Sequence, residues 1–187
     1  MSRLATARYR LSPLAPGDRR DLFAHLSDPA TVEHLDIAPM ADLEAADAMI
    51  AWAGALPDNG SAWWAIRDGA GDFVGTAGLI VTERRRGSRG EVSYNVVRPR
   101  WRQGVMGEVL PALLAHGHAA LGLRRLDALV TPGNLASAAL LSRFGFQLEG
   151  TMRDHGFWKG RFWDQHLYAR LADDQPGLEK PSTSRML

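Results

Sequence analysis

Val130-Thr131-Pro132-Gly133-Asn134-Leu135-Ala136-Ser137 leads into Leu140-Leu141-Ser142-Arg143-Phe144-Gly145-Phe146, then Glu149-Gly150 and Arg153-Asp154. Leu126 to Val130 is a short run, apolar but for Asp127, as expected of a strand covered on both faces. Pro132-Gly133 reads as a turn. Leu135 to Phe144 predicts a helix. Phe146 to Met152 and Phe162 to Leu171 predict the last two strands, with Lys159-Gly160-Arg161 at the hairpin tip.

Upstream lies a second junction, Val96-Val97-Arg98-Pro99-Arg100-Trp101-Arg102-Gln103-Gly104-Val105-Met106-Gly107-Glu108. A strand, Glu91 to Val97, enters a glycine-containing turn that opens a long helix, Gly104 to Leu121. Val105, Val109, Leu113 and Leu114 form the helix's apolar face, Pro111 should kink it, and Gly122 ends it. The first N–H groups of a helix are unpaired and carry partial positive charge, so such a turn can hold phosphate through backbone amides. Glycines at 104 and 107 permit close approach of a ligand. Arg98, Arg100 and Arg102 could add charge-assisted bonds. The turn lacks the Gly-Lys-Ser/Thr of a Walker loop and the GxGxxG of a dinucleotide site. Taken alone it reads as a glycine turn with solvated arginines.

The first half supplies the remaining elements. Ala7 to Leu14 predicts a strand, Arg19 to Ser27 a helix stopped by Asp28-Pro29, and Leu43 to Leu56 a second helix. Ala62 to Arg67 and Phe73 to Thr82 predict strands around the turn Asp68-Gly69-Ala70-Gly71. In the pair Trp63-Trp64, one ring belongs to the core and the other faces out or lines a cleft. The order β-α-α-β-β-β-α-β-α-β-β predicts one mixed α/β domain over residues 1–172, followed by a polar tail, 173–187.

The chain has 187 residues, a formal net charge of +1 and no cysteine. The charge balance argues against a nucleic-acid binder built on the arginine clusters. The missing cysteines exclude a disulfide framework, a thiolate metal site and a cysteine nucleophile. His116 and His118 lie two apart on a helix and do not share a face, so no metal site is expected. Met1 to Arg10 has no apolar run, and nothing approaches the ~18 apolar residues of a membrane span. The expectation is a cytoplasmic protein with no membrane contact. Homodimerisation is compatible with the sequence.

The ordered set Asn-x-x-Ser-x-x-x-Leu, Phe-Gly-Phe-x-x-Glu-Gly-x-x-Arg-Asp and the ending Asp164-Gln165-His166-Leu167-Tyr168 resembles the second half of the RimJ/RimL-type branch of the GCN5-related N-acetyltransferases (GNAT). The resemblance is firm over about residues 90–170 and looser from residue 7 to 90. It implies the GNAT fold: a central twisted mixed sheet of about seven strands, flanking helices, and a splayed strand pair holding CoA. It implies acetyl-CoA as cosubstrate and no metal. The turn Trp101, Arg102, Gln103, Gly104, Val105, Met106 and Gly107 would wrap the pyrophosphate, with Arg102 where the family has a glycine. Strands 91–97 and 126–131 would part around the pantetheine arm. Val96 would lie near the thioester, with Val97 and Arg98 beside it. Asn134 would bond the arm, and Arg143 would approach the nucleotide end.

The same resemblance implies direct attack of an amine on the thioester in a ternary complex. The amine must lose a proton, and Glu91 is the candidate base; its structural alternative is an ion pair with Arg89 or another arginine at the sheet rim. The N–H of Val96 or Val97 would stabilise the developing oxyanion. Many family members carry a tyrosine acid seven residues after the motif asparagine. Here that position is Leu141, leaving Ser137 as the nearest polar substitute. The expected acceptor is a protein N-terminal amine. A small amine (amino acid, polyamine or antibiotic) is the alternative, and an inactive CoA-binding module a further one.

Overall fold

The computed structural model describes residues 2–84 and 87–174. Most of the tail expected at 173–187, and Arg85 and Arg86 of the basic loop, lie outside the described residues. Eight strands form one sheet in the order β1-β2-β3-β4-β5-β6-β8-β7. They are β1 (Leu4–Ala5), β2 (Tyr9–Pro13), β3 (Ala62–Asp68), β4 (Phe73–Glu83), β5 (Arg89–Val96), β6 (Arg125–Val130), β7 (Gln147–Trp158) and β8 (Arg161–Leu171). The sequence reading expected about seven. The extra strand is the two-residue β1, too short to leave a periodic signal.

Among the described residues five α-helices accompany the sheet: α1 (Arg19–Leu26), α2 (Pro29–Val32), α3 (Leu43–Gly54), α4 (Val105–Ala115) and α5 (Leu135–Arg143). Every strand pairing is antiparallel except β5–β6. That parallel pair follows from the intervening α4, since parallel neighbours need a crossover.

Alternation along each strand sorts side chains between two cores. On β3, Trp64 and Ile66 face the cluster containing Val105, Val109, Leu110 and Leu113 of α4. Ala65, with Trp63 packed against it, faces Leu22, Leu26, Ala46 and Ile50 of α1 and α3. β5 obeys the same rule. Val92, Tyr94 and Val96 belong to the α4 side, which leaves Glu91, Ser93 and Asn95 on the α1 side.

Two expectations shift. Pro111, expected to kink the helix, lies inside α4 (Val105–Ala115) with its ring on the exposed side. The irregularity comes later, where His116–Ala120 widens into a π-turn closed by Leu121 N–H to His116 O at 3.0 Å. There Gly117 sits so close to the sheet that a Cβ would come within 2.9 Å of Leu126. At the other end, β7 runs to Trp158 instead of Met152, with a register shift between Met152 and Gly156 and Asp154 at φ 49°. The Lys159-Gly160 turn, with φ of 52° and 76°, closes the hairpin as expected of a two-residue connection.

Candidate active site

β5 and β6 pair only at Arg89↔Arg125, Gly90↔Leu126 and Glu91↔Asp127. Beyond Glu91 the two strands part, as the sequence reading expected of 91–97 and 126–131. β4 stays paired with β5 as far as Val96, and β8 with β6 as far as Val130. Val97 N–H donates to Val74 O at 2.9 Å. Backbone polarity alternates along an antiparallel strand, so the groups of Val92, Tyr94 and Val96 turn the other way, into the gap. Val97 is thereby removed as an oxyanion donor, because its amide is already committed to β4. Val96 keeps its N–H toward the gap, while its carbonyl accepts from Trp101 Nε1 at 2.6 Å.

A cleft of about 950 Å³ opens at this gap. Glu91, Ser93, Tyr94 and Asn95 of β5, Thr131 and Asn134 after β6, and Ser137 of α5 line one part. The wall opposite is apolar and aromatic: Leu35, Ile37, Met40, Met49, Trp52 and Trp63, with Phe157 and Trp158 from the β7–β8 hairpin. Trp63 is thus the cleft ring and Trp64, fully buried, the core ring. Lys159 clamps the hairpin to the segment after α2, donating from Nζ to the carbonyls of Val32, Glu33 and Leu35 at 2.5, 3.0 and 2.9 Å.

Glu91 forms no ion pair among the described residues. Arg89, its expected rim partner, instead binds the buried Asp127 at 2.5 Å, and Arg125 joins Asp127 to Glu149. Burial, then the charges of Asp127 and Asp36, hold the Glu91 carboxyl above its ordinary range, while Arg89 opposes them. A carboxylate moved this way is closer to the proton affinity a base needs near neutral pH.

Ser137 hydrogen-bonds a residue the sequence reading missed. Tyr94 Oη lies 2.8 Å from Ser137 Oγ, and burial pushes the phenol up to about 12. A tyrosine hydroxyl therefore stands beside Ser137 although α5 carries Leu141 at the position noted above. No local motif marks Tyr94; only the alternation of β5, which turns it toward α5, could have suggested it.

The two ends of the Asn134 amide are used differently within the protein. Its Oδ1 accepts from Ser137 N–H at 3.1 Å and caps α5. Its Nδ2 has no protein partner among the described residues and remains for a ligand. The turn before α4 has Arg102 at φ 60° and Gly104 at φ 75°. Gly104 is the helix cap and offers no side chain, so the first amides of α4 stay open beside the exposed Arg102. These features suit a pyrophosphate. Gln103 is held by Nε2 to Pro99 O at 2.7 Å, and its carbonyl accepts from Arg8, which also pairs with Glu108.

Three basic candidates stand elsewhere. Arg100 is committed to Asp68 at 2.7 Å, so it is not a free phosphate ligand. Arg98 lines a separate hollow of about 300 Å³ beside Asp21, His25 and Asp28. Arg143 rests its guanidinium 5.7 Å from the Phe144 ring centre and does not line the cleft. Val105, Met106 and Gly107 form the first turn of α4, where Val105 and Met106 bury their side chains in the core and leave only backbone for a ligand. No group of metal-ligating side chains occurs among the described residues. No helix among them is long and apolar enough to cross a membrane.

Residues 8–147 match the family described as acetyltransferase (GNAT) domain. The chain is 31% identical to an uncharacterized N-acetyltransferase, p20, of Bacillus licheniformis, over 95% of this chain and 100% of that one. It superposes on Mycobacterium smegmatis RimJ in complex with CoA-disulfide with a TM-score of 0.82 at 22% identity, covering 91% and 88% of the two chains. Spermidine N-acetyltransferase from Vibrio cholerae, in complex with CoA and spermine, shares the fold with a TM-score of 0.76 at 17% identity, covering 89% and 96%.

Proposed function

The chain belongs to the acetyltransferase (GNAT) domain family and is an acetyl-CoA-dependent N-acetyltransferase, and on that premise we propose that its acceptor is the N-terminal amine of a protein or peptide. The observation that carries the reading is the composition of the cleft around the parted strands. Its carboxylates are Glu91 and Asp36, set against a long apolar and aromatic wall. One cation beside an apolar group fits this surface. A polyamine, with several cations along an extended chain, would need carboxylates spaced along its length. The RimJ/RimL-like order of motifs supports the same reading.

Acetyl-CoA supplies an activated acetyl thioester. The open amides at 102–107 and the free Nδ2 of Asn134 fit its pyrophosphate and amide-bearing arm. Val96 N–H, facing the gap, donates to the acetyl oxygen as negative charge develops there. Glu91 takes the ammonium proton through water, which leaves the nitrogen a lone pair for attack. Glu91 and Tyr94 project from opposite faces of β5, so proton removal and thiolate departure fall on opposite sides of the strand. Tyr94 keeps its proton and donates to Ser137, whose own hydroxyl proton is then free to stabilise the leaving sulfur.

The test is acetylation of an amine panel with thiol detection: N-terminal peptides, amino acid amides, spermidine and an aminoglycoside. Preferential turnover of the peptides is expected. Higher kcat/KM for spermidine or the aminoglycoside would replace this acceptor with a small amine, and no turnover of any amine would leave a CoA-binding module.

A further inference from the structure

Asn95 is a cleft residue whose amide is held in one orientation from behind. Its Oδ1 accepts from Thr76 N–H at 3.3 Å, Thr76 Oγ1 at 3.1 Å and His25 Nε2 at 2.6 Å. A backbone N–H can only donate, so the atom facing Thr76 is the oxygen. The imidazole nitrogen on that same oxygen must then carry the proton, which fixes the tautomer of His25. Thr76 is fully buried and His25 nearly so. Burial also keeps His25 below its ordinary range, in the neutral form with a single N–H. The other end of the amide, Nδ2, has no protein acceptor among the described residues, and Asn95 lines the cleft. Two buried side chains thus hold one amide so that its donor end faces the acceptor side of β5.

We propose that Asn95 Nδ2 donates to the oxygen of the acyl carbonyl attached to the amine-bearing carbon, so that the enzyme selects α-amino acyl acceptors over plain amines. The inference rests on the amine-acetylation reading above and sharpens its substrate class. Glu91 and Asn95 share a face of β5 four residues apart, about 13 Å between Cα atoms at ~3.3 Å per residue. A water, the amine nitrogen and the adjoining acyl carbonyl, laid end to end, fit within that span. His25 and Thr76 are positioning residues: they touch the amide, not the substrate. A spermidine-like or alkyl amine offers no oxygen at that point and gains nothing from the donor.

The experiment compares leucinamide with 3-methylbutylamine, which present the same apolar group to the cleft and differ in the carboxamide. Thermal unfolding of each variant monitors the fold. Asn95→Ala should lower kcat/KM for leucinamide by about 5–10-fold, the range of one neutral hydrogen bond, and leave 3-methylbutylamine within about twofold. Asn95→Asp keeps the acceptor for His25 and Thr76 but removes the donor, and should show the same selective loss with parental stability. His25→Ala should lose part of the preference and His25→Gln, which retains an N–H, should recover some of it. Equal losses on both acceptors would place Asn95 at the acetyl group and overturn the proposal, as would no loss on either. If the parent enzyme turns over neither of these nor an N-terminal peptide, the amine-acetylation reading itself fails.

Discussion

Glu91 lies opposite Asp127 on the last rung of the parallel β5–β6 ladder, and the strands separate immediately beyond that pair. The two carboxylates differ in fate. Asp127 is buried and held by Arg89 and Arg125, while Glu91 has no cationic partner among the described residues and lines the cleft. The negative charge fixed at Asp127 helps to raise the proton affinity of Glu91.

Glu91→Gln should therefore lower the rate by roughly 10²–10⁴-fold near neutral pH. The sign of the pH effect follows from the upward shift. Glu91 works as a base only when ionised, so the parent loses activity as pH falls, over a range above that of an ordinary carboxylate. The variant should lack that limb, and its deficit should narrow at high pH, where free amine predominates. Parallel rate curves of equal height from pH 6 to 9.5 would leave solvent water as the proton acceptor.

Asn134 separates structure from binding within one side chain. Asn134→Asp retains the oxygen that caps α5 and loses the Nδ2 donor. It should keep its melting temperature while KM for acetyl-CoA rises. Asn134→Ala removes both, and should cost about 1 kcal/mol of stability in addition. An aspartate variant with parental KM would confine Asn134 to capping.

Tyr94→Phe removes only the hydroxyl beside Ser137. If that hydroxyl orients Ser137 toward the leaving sulfur, kcat should fall by about 10-fold with KM for acetyl-CoA little changed. Ser137→Ala should give a similar loss, and the double variant little more, because the two hydroxyls act in series. Multiplying losses in a double-mutant cycle would show that they act independently.

Lys159→Met deletes the clamp between the hairpin and the carbonyls of Val32, Glu33 and Leu35. Its ammonium is partly exposed, so the cost in stability should be modest, about 1 kcal/mol. The larger effect belongs to the acceptor wall: KM for the amine should rise severalfold while KM for acetyl-CoA holds. Equal changes in both constants, measured by initial rates, would remove Lys159 from acceptor binding.

The sequence by itself determined what is local. Gly104 at the opening of α4 and the Lys159-Gly160 turn each act on neighbours a few residues away, so turn chemistry could be read directly, whereas the capping of α5 by Asn134 emerged only from the structure. The alternation of Trp63 and Trp64 was equally legible, since a strand must present successive side chains to opposite faces. Tertiary structure decided the rest because partners distant in sequence meet only through strand register. Tyr94 meets Ser137 across 43 positions, and His25 meets Asn95 across 70. Neither pair has a spacing signal. Arg89 and Arg100 looked available in sequence, and each is held by an aspartate that the fold delivers. Val97 differs from Val96 by one residue, yet the antiparallel pairing with β4 consumes its N–H and leaves that of Val96 facing the gap.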